Sequence, residues 1–228
     1  MQIKNVAFDA DDTLWENETY FRDAEGYFCE LMKEFLPIDQ LEKRLFDMEM
    51  KNLPLYGYGI KPFILSLIEA AQEISKGQVS NNSISKLIDL GKDMLQAPVV
   101  LINGVEDTLK QLKNKGYRLV VATKGDLLDQ ERKLIKSGLE PYFHHIEVMA
   151  DKKPRQYHKL INHLDINIDE FLMVGNSPKS DILPVLEIGG WAFHIPFHTT
   201  WEHENVSHPI QHEHYQKFTK ISELLTVL

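Results

Sequence analysis

The strongest constraint in this chain is a spacing. Four apolar runs each stop at a polar cluster. Ile3 to Phe8 stops at Asp9, and Arg118 to Ala122 at Thr123. Ile146 to Met149 leads to Asp151-Lys152-Lys153-Pro154, and Phe171 to Val174 to Gly175-Asn176. Thr123 to Lys152 is 29 residues and Lys152 to Asn176 is 24, each close to the ~30 residues of one strand–helix–strand unit. Asp9 to Thr123 is 114 residues, but excising 15–97 reduces that to 31. The spacing therefore predicts a parallel sheet interrupted once, after its first strand. In an open parallel sheet the strand ends converge on one crevice, where ligands bind.

The interrupting block carries a different pattern. Phe21, Ala24, Phe28, Leu31, Met32 and Phe35 recur every three or four residues, as on an amphipathic helix, and Pro37 ends it. Leu41, Leu45, Met48 and Leu53 predict a second helix, and Asn52 to Pro62 reads as a loop with two prolines and two glycines. Pro62 to Ile74 and Ser83 to Leu95 predict a third and fourth, with Ser83 as cap. Beyond Pro98, helices are expected at Val105 to Lys115, Leu127 to Ser137, Arg155 to Leu164 and Ser180 to Ile188. Trp191 to Ile195 is expected as the last strand. Strands alternating with helices imply a sheet covered on both faces. The domains expected are 1–14 with 98–228, and 15–97.

Composition narrows the function. Lys and Arg number 25 against 34 Asp and Glu, a net charge of −9, which argues against nucleic acid or an anionic membrane as partner. A small anionic substrate needs only a few local cations. The single cysteine, Cys29, cannot form an internal disulfide, so a reducing cytoplasm is the expected compartment. The N-terminal apolar run is short and stops at acids, so no secretory leader is expected, and the most apolar windows are too short to span a bilayer.

Each polar cluster offers chemistry. In Asp9-Ala10-Asp11-Asp12-Thr13, alternate residues point to one side, so Asp9 and Asp11 can both face the crevice. Two close carboxylates repel unless a cation or a proton compensates. Thr123-Lys124-Gly125 pairs a strand-end hydroxyl with backbone N–H groups that can hold an oxyanion, and Lys124 adds charge. A lysine after the third strand can neutralise phosphate. Asn176 and Asp181 offer oxygens suited to a hard cation such as Mg²⁺. Singly, these are also an acidic turn, a strand end, a solvated basic turn and a capped loop. Together they are four signatures in fixed order at four strand ends.

In that order the chain resembles the haloacid dehalogenase superfamily of hydrolases, over residues 1–14 and about 98–195. The four-helix insertion is similar to that family's helical cap. The resemblance implies an α/β Rossmann-like core with an all-helical cap and an Mg²⁺-dependent hydrolase of a small phosphomonoester. It implies Asp9 as nucleophile, forming an aspartyl-phosphate, and Asp11 as general acid/base. Thr123 matches the phosphate-binding hydroxyl, with Lys124 and Gly125 beside it. Lys152 or Lys153 matches the active-site lysine. Asp9, Asp11, Asn176 and Asp181 match the metal positions. Asn176 stands where the family often has an acid, so one metal ligand lacks formal charge. A halide leaves without protonation, so a dehalogenase leaves Asp11 and Asp181 idle. That activity, and a non-catalytic binding protein on the same fold, are the alternatives. The implied partner is a small phosphorylated metabolite, in a monomer or homodimer.

Two segments stay open to two readings. Tyr56 to Lys61 either contacts substrate from the cap or packs on its own core. The late histidines, His194, His198, His203, His208, His212 and His214, either bind zinc or belong to an irregular segment over the sheet edge. Trp201 and Glu202 are placed near the crevice rim, and Leu224 to Leu228 is expected to dock on the core.

Overall fold

The computed structural model describes residues 3–204, 206 and 208–228. Met1, Gln2, Asn205 and Ser207 lie outside the described residues. The predicted strands are β1 (Asn5–Phe8), β2 (Arg118–Lys124), β3 (His145–Met149), β4 (Phe171–Gly175) and β5 (Trp191–His194), joined by β6 (Tyr215–Lys217). They form one sheet in the order β3-β2-β1-β4-β5-β6, every neighbouring pair parallel. Phe8 pairs with Val121 on one side and Val174 on the other, so β1 is flanked by β2 and β4 up to its last residue.

The helices are α1 (Glu18–Met32), α2 (Ile38–Tyr56), α3 (Ile60–Ile74), α4 (Asn81–Gln96), α5 (Val105–Asn114), α6 (Leu127–Ser137), α7 (Pro154–Leu164) and the short α8 (Leu183–Glu187). Among the described residues no helix is long and apolar enough to cross a membrane. The fold class is the expected one, α/β with a parallel sheet.

Alternation along the central strands explains why both sheet faces are covered. Val6, Phe8, Leu119, Val121, Leu172 and Val174 point to one side, where α5 supplies Val105, Leu109 and Leu112. Leu224, from the predicted apolar tail, joins that layer together with Ile221. Ala7, Val120, Ala122, Phe171 and Met173 point the other way, against Tyr157, Leu160, Ile161 and Leu164 of α7 and Val185 and Leu186 of α8. Each fully buried large side chain contributes about 1.5–3 kcal/mol.

The chain divides into a sheet unit, residues 1–18, 99–124 and 130–228, and a helical unit, residues 19–98 with 125–129. Trp15 belongs to the sheet unit. It is buried, and Glu16 N–H donates to the Val100 carbonyl at 2.9 Å, so two crossing segments lie together there. The helical unit has its own core, built from Phe28, Met32, Leu41, Leu45, Phe63, Leu67 and Leu87. Helices α3 and α4 pack closely enough that a Cβ on Gly91 would lie 2.6 Å from Ile64 Cγ1.

Several local expectations are corrected. The loop read over Asn52 to Pro62 is only Gly57–Gly59, because α2 continues through Pro54 to Tyr56. Proline is tolerated there since the helix has two residues left and the lost bond is one near its end. Tyr56 and Lys61 find partners within their own unit, donating to Glu69 (2.6 Å) and Asp126 (2.8 Å). Ser80 rather than Ser83 caps α4, accepting from the Ser83 N–H at 3.0 Å. β5 is not the last strand. β6 escapes a periodicity reading because it has three residues and half-exposed or exposed side chains.

Candidate active site

Asp9 leaves the end of β1 with its N–H donating to the Val174 carbonyl at 2.8 Å, so the sheet itself fixes its backbone. Its carboxylate is buried. Lys152 Nζ lies 2.5 Å from Asp9 Oδ1 and 2.7 Å from Asp181 Oδ1, a buried ammonium bridging two buried carboxylates. Burial pushes the Asp9 carboxyl up, to about 7, with Lys152 opposing and Asp181 adding to the rise. Burial also disfavours the charged form of Lys152, but Asp181 and Asp9 outweigh it and hold its pKa above the ordinary value.

Lys153, the alternative active-site lysine, is a correction. It faces solvent and pairs with Asp151 at 2.7 Å. Neighbouring residues on an extended turn point to opposite sides, so only one of the two can enter the crevice.

Asp181 is pinned by more than Lys152. Its Oδ2 accepts from the Ser177 N–H at 2.9 Å, and its own N–H donates to the Ser177 carbonyl at 2.8 Å. A Cβ at position 175 would sit 2.2 Å from that Oδ2. Gly175 is therefore required for the close approach of that carboxylate. The helix predicted over Ser180 to Ile188 begins instead as a wide π-helical turn, Pro178–Ile182, capped by the Ser177 hydroxyl, which accepts from the Ser180 N–H at 3.0 Å.

Asn176 turns its Oδ1 toward Thr13 Oγ1 at 3.4 Å, and the same hydroxyl lies 3.3 Å from Asp9 Oδ2. One hydroxyl hydrogen cannot serve both oxygens well, so Asp9 Oδ2 and Asn176 Oδ1 retain acceptor capacity on the same side. An all-oxygen pair of this kind, next to more carboxylate than Lys152 alone neutralises, suits Mg²⁺. His194 is structural. Its Nε2 lies 3.1 Å from the Asn176 carbonyl, which can only accept, so that nitrogen carries the proton. Burial lowers its pKa.

The Asp11 side chain is held by protein donors. Oδ1 accepts from the Trp15 indole N–H (2.8 Å) and from Lys133 Nζ (2.8 Å), and Oδ2 from the Gln130 amide (2.8 Å). Burial would raise its pKa, but the Lys133 charge and the three donors hold it below the usual carboxylate range. Both oxygens are occupied by α6 and Trp15. Asp12 takes the neighbouring structural role. With φ +63 it turns back to accept the N–H groups of Asn17 (2.8 Å) and Glu18 (3.1 Å) at the start of α1.

Thr123 is buried at the end of β2, on the strand adjoining Asp9. Lys124 is corrected as a phosphate ligand, because its ammonium lies 2.6 Å from Glu204 Oε1 and 2.8 Å from Ser180 Oγ. Gly125 has φ +138 where the chain passes into the helical unit.

Sequence reasoning missed Gln130, Lys133, Thr13 and Glu204. Gln130 and Lys133 lie three residues apart on one helical face, a spacing that any amphipathic helix shows. Glu204 carries no such pattern. Glu202, placed at the rim from the sequence, is exposed, and Glu204 is the buried acid of that turn. It accepts from Lys124, Ser180 Oγ (2.6 Å) and Ser177 Oγ. The late histidines take local partners, His214 stacking on Trp191 at 4.1 Å and donating its N–H to His212 Nδ1 at 3.1 Å.

Glu204 gives a pH-dependent prediction. Despite burial, Lys124 and the two hydroxyls depress its pKa to about 2 from 4.5. A depressed carboxylate contributes stability that is full above pH 4.5 and fades as pH falls toward 2. Glu204→Gln should cost about 2 kcal/mol near neutrality. In urea denaturation the gap to wild type should close between pH 4.5 and 2. A gap independent of pH would contradict the ion pair's contribution.

These strand-end groups gather buried acidic and basic side chains at one end of the sheet. The family model for haloacid dehalogenase-like hydrolases matches residues 3–189, and the chain belongs to that family. It is an enzyme of the hydrolase class. It is 26% identical over 197 residues to the glyceraldehyde 3-phosphate phosphatase of Methanothermobacter thermautotrophicus, covering 82% of this chain and 83% of that one. A haloacid dehalogenase-like hydrolase of known structure from Xanthomonas campestris is 34% identical. It superimposes with a TM-score of 0.89 over 99% of this chain and 90% of that one. A magnesium-bound HAD hydrolase of Bacillus subtilis shares the fold, at 19% identity and TM-score 0.67 over 100% of this chain and 99% of that one.

Proposed function

We propose that the enzyme is an Mg²⁺-dependent phosphatase of a small phosphomonoester, acting through an aspartyl-phosphate on Asp9. The observation that carries this reading is the buried Asp9–Lys152–Asp181 cluster, with a second acid, Asp11, two residues from the nucleophile. The phosphatase activity of the Methanothermobacter relative supports it, as does the magnesium bound by the Bacillus hydrolase.

Asp9 attacks phosphorus in line, and the P–O bond to the leaving alcohol breaks as the alkoxide takes a proton from Asp11. Asp11 then removes a proton from water, whose oxygen attacks the phosphoryl group. The products are inorganic phosphate and free Asp9. Lys152 offsets the charge of Asp9, Asp181 and the incoming phosphoryl oxygens, and Thr123 offers its hydroxyl to one of those oxygens. Asp9 and Asn176 would hold Mg²⁺, with Asp181 supplying charge beside them. The cation, when bound, offsets phosphoryl–carboxylate repulsion. The three donors on Asp11 keep it ionised, the form that activates water. It must exchange Lys133 for a proton before it protonates a leaving group. Dehalogenation uses neither this acid nor a cation.

A panel of phosphorylated metabolites, glyceraldehyde 3-phosphate included, tests the reading with Mg²⁺ and with chelator. Phosphate release is expected only with Mg²⁺. Halide release from 2-haloacids without phosphate release would reverse it. Asp11→Asn should slow alkyl phosphates by about 10²–10⁴-fold and p-nitrophenyl phosphate far less, since a good leaving group needs little protonation. Equal losses on both would remove Asp11 from the acid role.

A further inference from the structure

His145 opens β3 at the sheet edge and Glu147 follows two residues later, so both side chains lie on one face of the strand. His163, in the last turn of α7, comes against them. His145 Nε2 lies 2.9 Å and His163 Nδ1 3.5 Å from the same oxygen, Glu147 Oε2. The two rings are 4.8 Å apart at 70°. Among the described residues this is the group of three histidine, cysteine or acidic side chains whose ligand atoms converge within 4.8 Å of one another.

We propose that His145, Glu147 and His163 form a site for Zn²⁺, separate from the catalytic crevice. Tetrahedral zinc with bonds of ~2.0–2.2 Å places its ligands about 3.4 Å apart, close to the separations found here. Two imidazoles and one carboxylate suit zinc and not Mg²⁺, which prefers oxygen donors. The Glu147 and His145 side chains are about three-quarters buried, and His163 is 63% exposed, which leaves an entry path and a place for water as fourth ligand. The site sits at the start of β3, whereas Lys152 follows the end of that strand. Glu147 lies two residues before the end of β3 at Met149, and β2 stands between β3 and β1, from which Asp9 leaves. The ion would tie the edge strand, which is paired on one side only, to α7, the two elements flanking the Lys152 loop.

Zinc titration by calorimetry, with Mg²⁺ saturating so that oxygen sites are filled, tests this. One equivalent should bind, and the melting temperature should rise with zinc concentration. His145→Ala and His163→Ala should each weaken binding by at least ~100-fold, more than the ~10–100-fold typical of an outer-shell loss. The cobalt(II) form should show visible d–d absorption that His163→Ala abolishes. Glu147→Gln provides a near-isosteric variant should an alanine variant fold poorly. His212→Ala should bind zinc as wild type does. No stabilisation at a large excess of zinc, or affinity unchanged in the His145, His163 and Glu147 variants, would overturn the proposal.

Discussion

Asp9→Asn should lose phosphatase turnover by about 10⁴-fold or more while the fold persists, since removing a covalent nucleophile removes the pathway itself. Its stability is the informative control. Burial raises the Asp9 carboxyl to about 7, so the charged form is costly in the folded protein near neutrality. An amide of the same shape relieves that cost and can still accept from Lys152. The variant should therefore melt no lower than wild type at pH 8 and above. Lost activity with a collapsed melting temperature would indicate a structural role for Asp9. Near-normal turnover would exclude it as nucleophile.

Lys152→Met should be the most destabilising change at the site. It leaves Asp9 and Asp181 facing each other, both buried and without their shared cation. Removing one partner from a buried ion cluster costs about 3–5 kcal/mol, because the remaining charge is uncompensated. Turnover should fall as well, since the phosphoryl group loses its only cation so placed among the described residues. Urea denaturation of Lys152→Met, Asp9→Asn and the double variant should be strongly non-additive, the double variant recovering part of the loss. Additive effects would mean that Lys152 and Asp9 do not act as a pair. Lys153→Met should be near neutral, as expected of an exposed lysine paired only with Asp151.

Much of the candidate site's placement was legible because backbone pattern encodes it. Continuous apolar runs ending in polar residues mark buried parallel strands, so Asp9, Thr123, Lys152 and Asn176 could be assigned to strand ends. What stayed hidden depends on side-chain direction or on contacts distant in sequence. Lys152 and Lys153 are adjacent and chemically identical, and only the turn geometry separates them. Gln130 and Lys133 read as the polar face of an ordinary amphipathic helix, though both converge on Asp11, more than 110 residues earlier. Glu204 lies in a segment without periodicity. Its role follows from where Ser177, Ser180 and Lys124 meet it. The need for glycine at position 175 also follows only from a contact, the approach of the Asp181 carboxylate.

The central claim is that phosphorus, and not the Asp9 acyl carbon, is the electrophile that water attacks. A single turnover of p-nitrophenyl phosphate in oxygen-18 water with Mg²⁺, followed by mass spectrometry, tests it directly. The account predicts one labelled oxygen in the released phosphate and an unlabelled peptide containing Asp9. Label in the Asp9 carboxylate, with unlabelled phosphate, would contradict it.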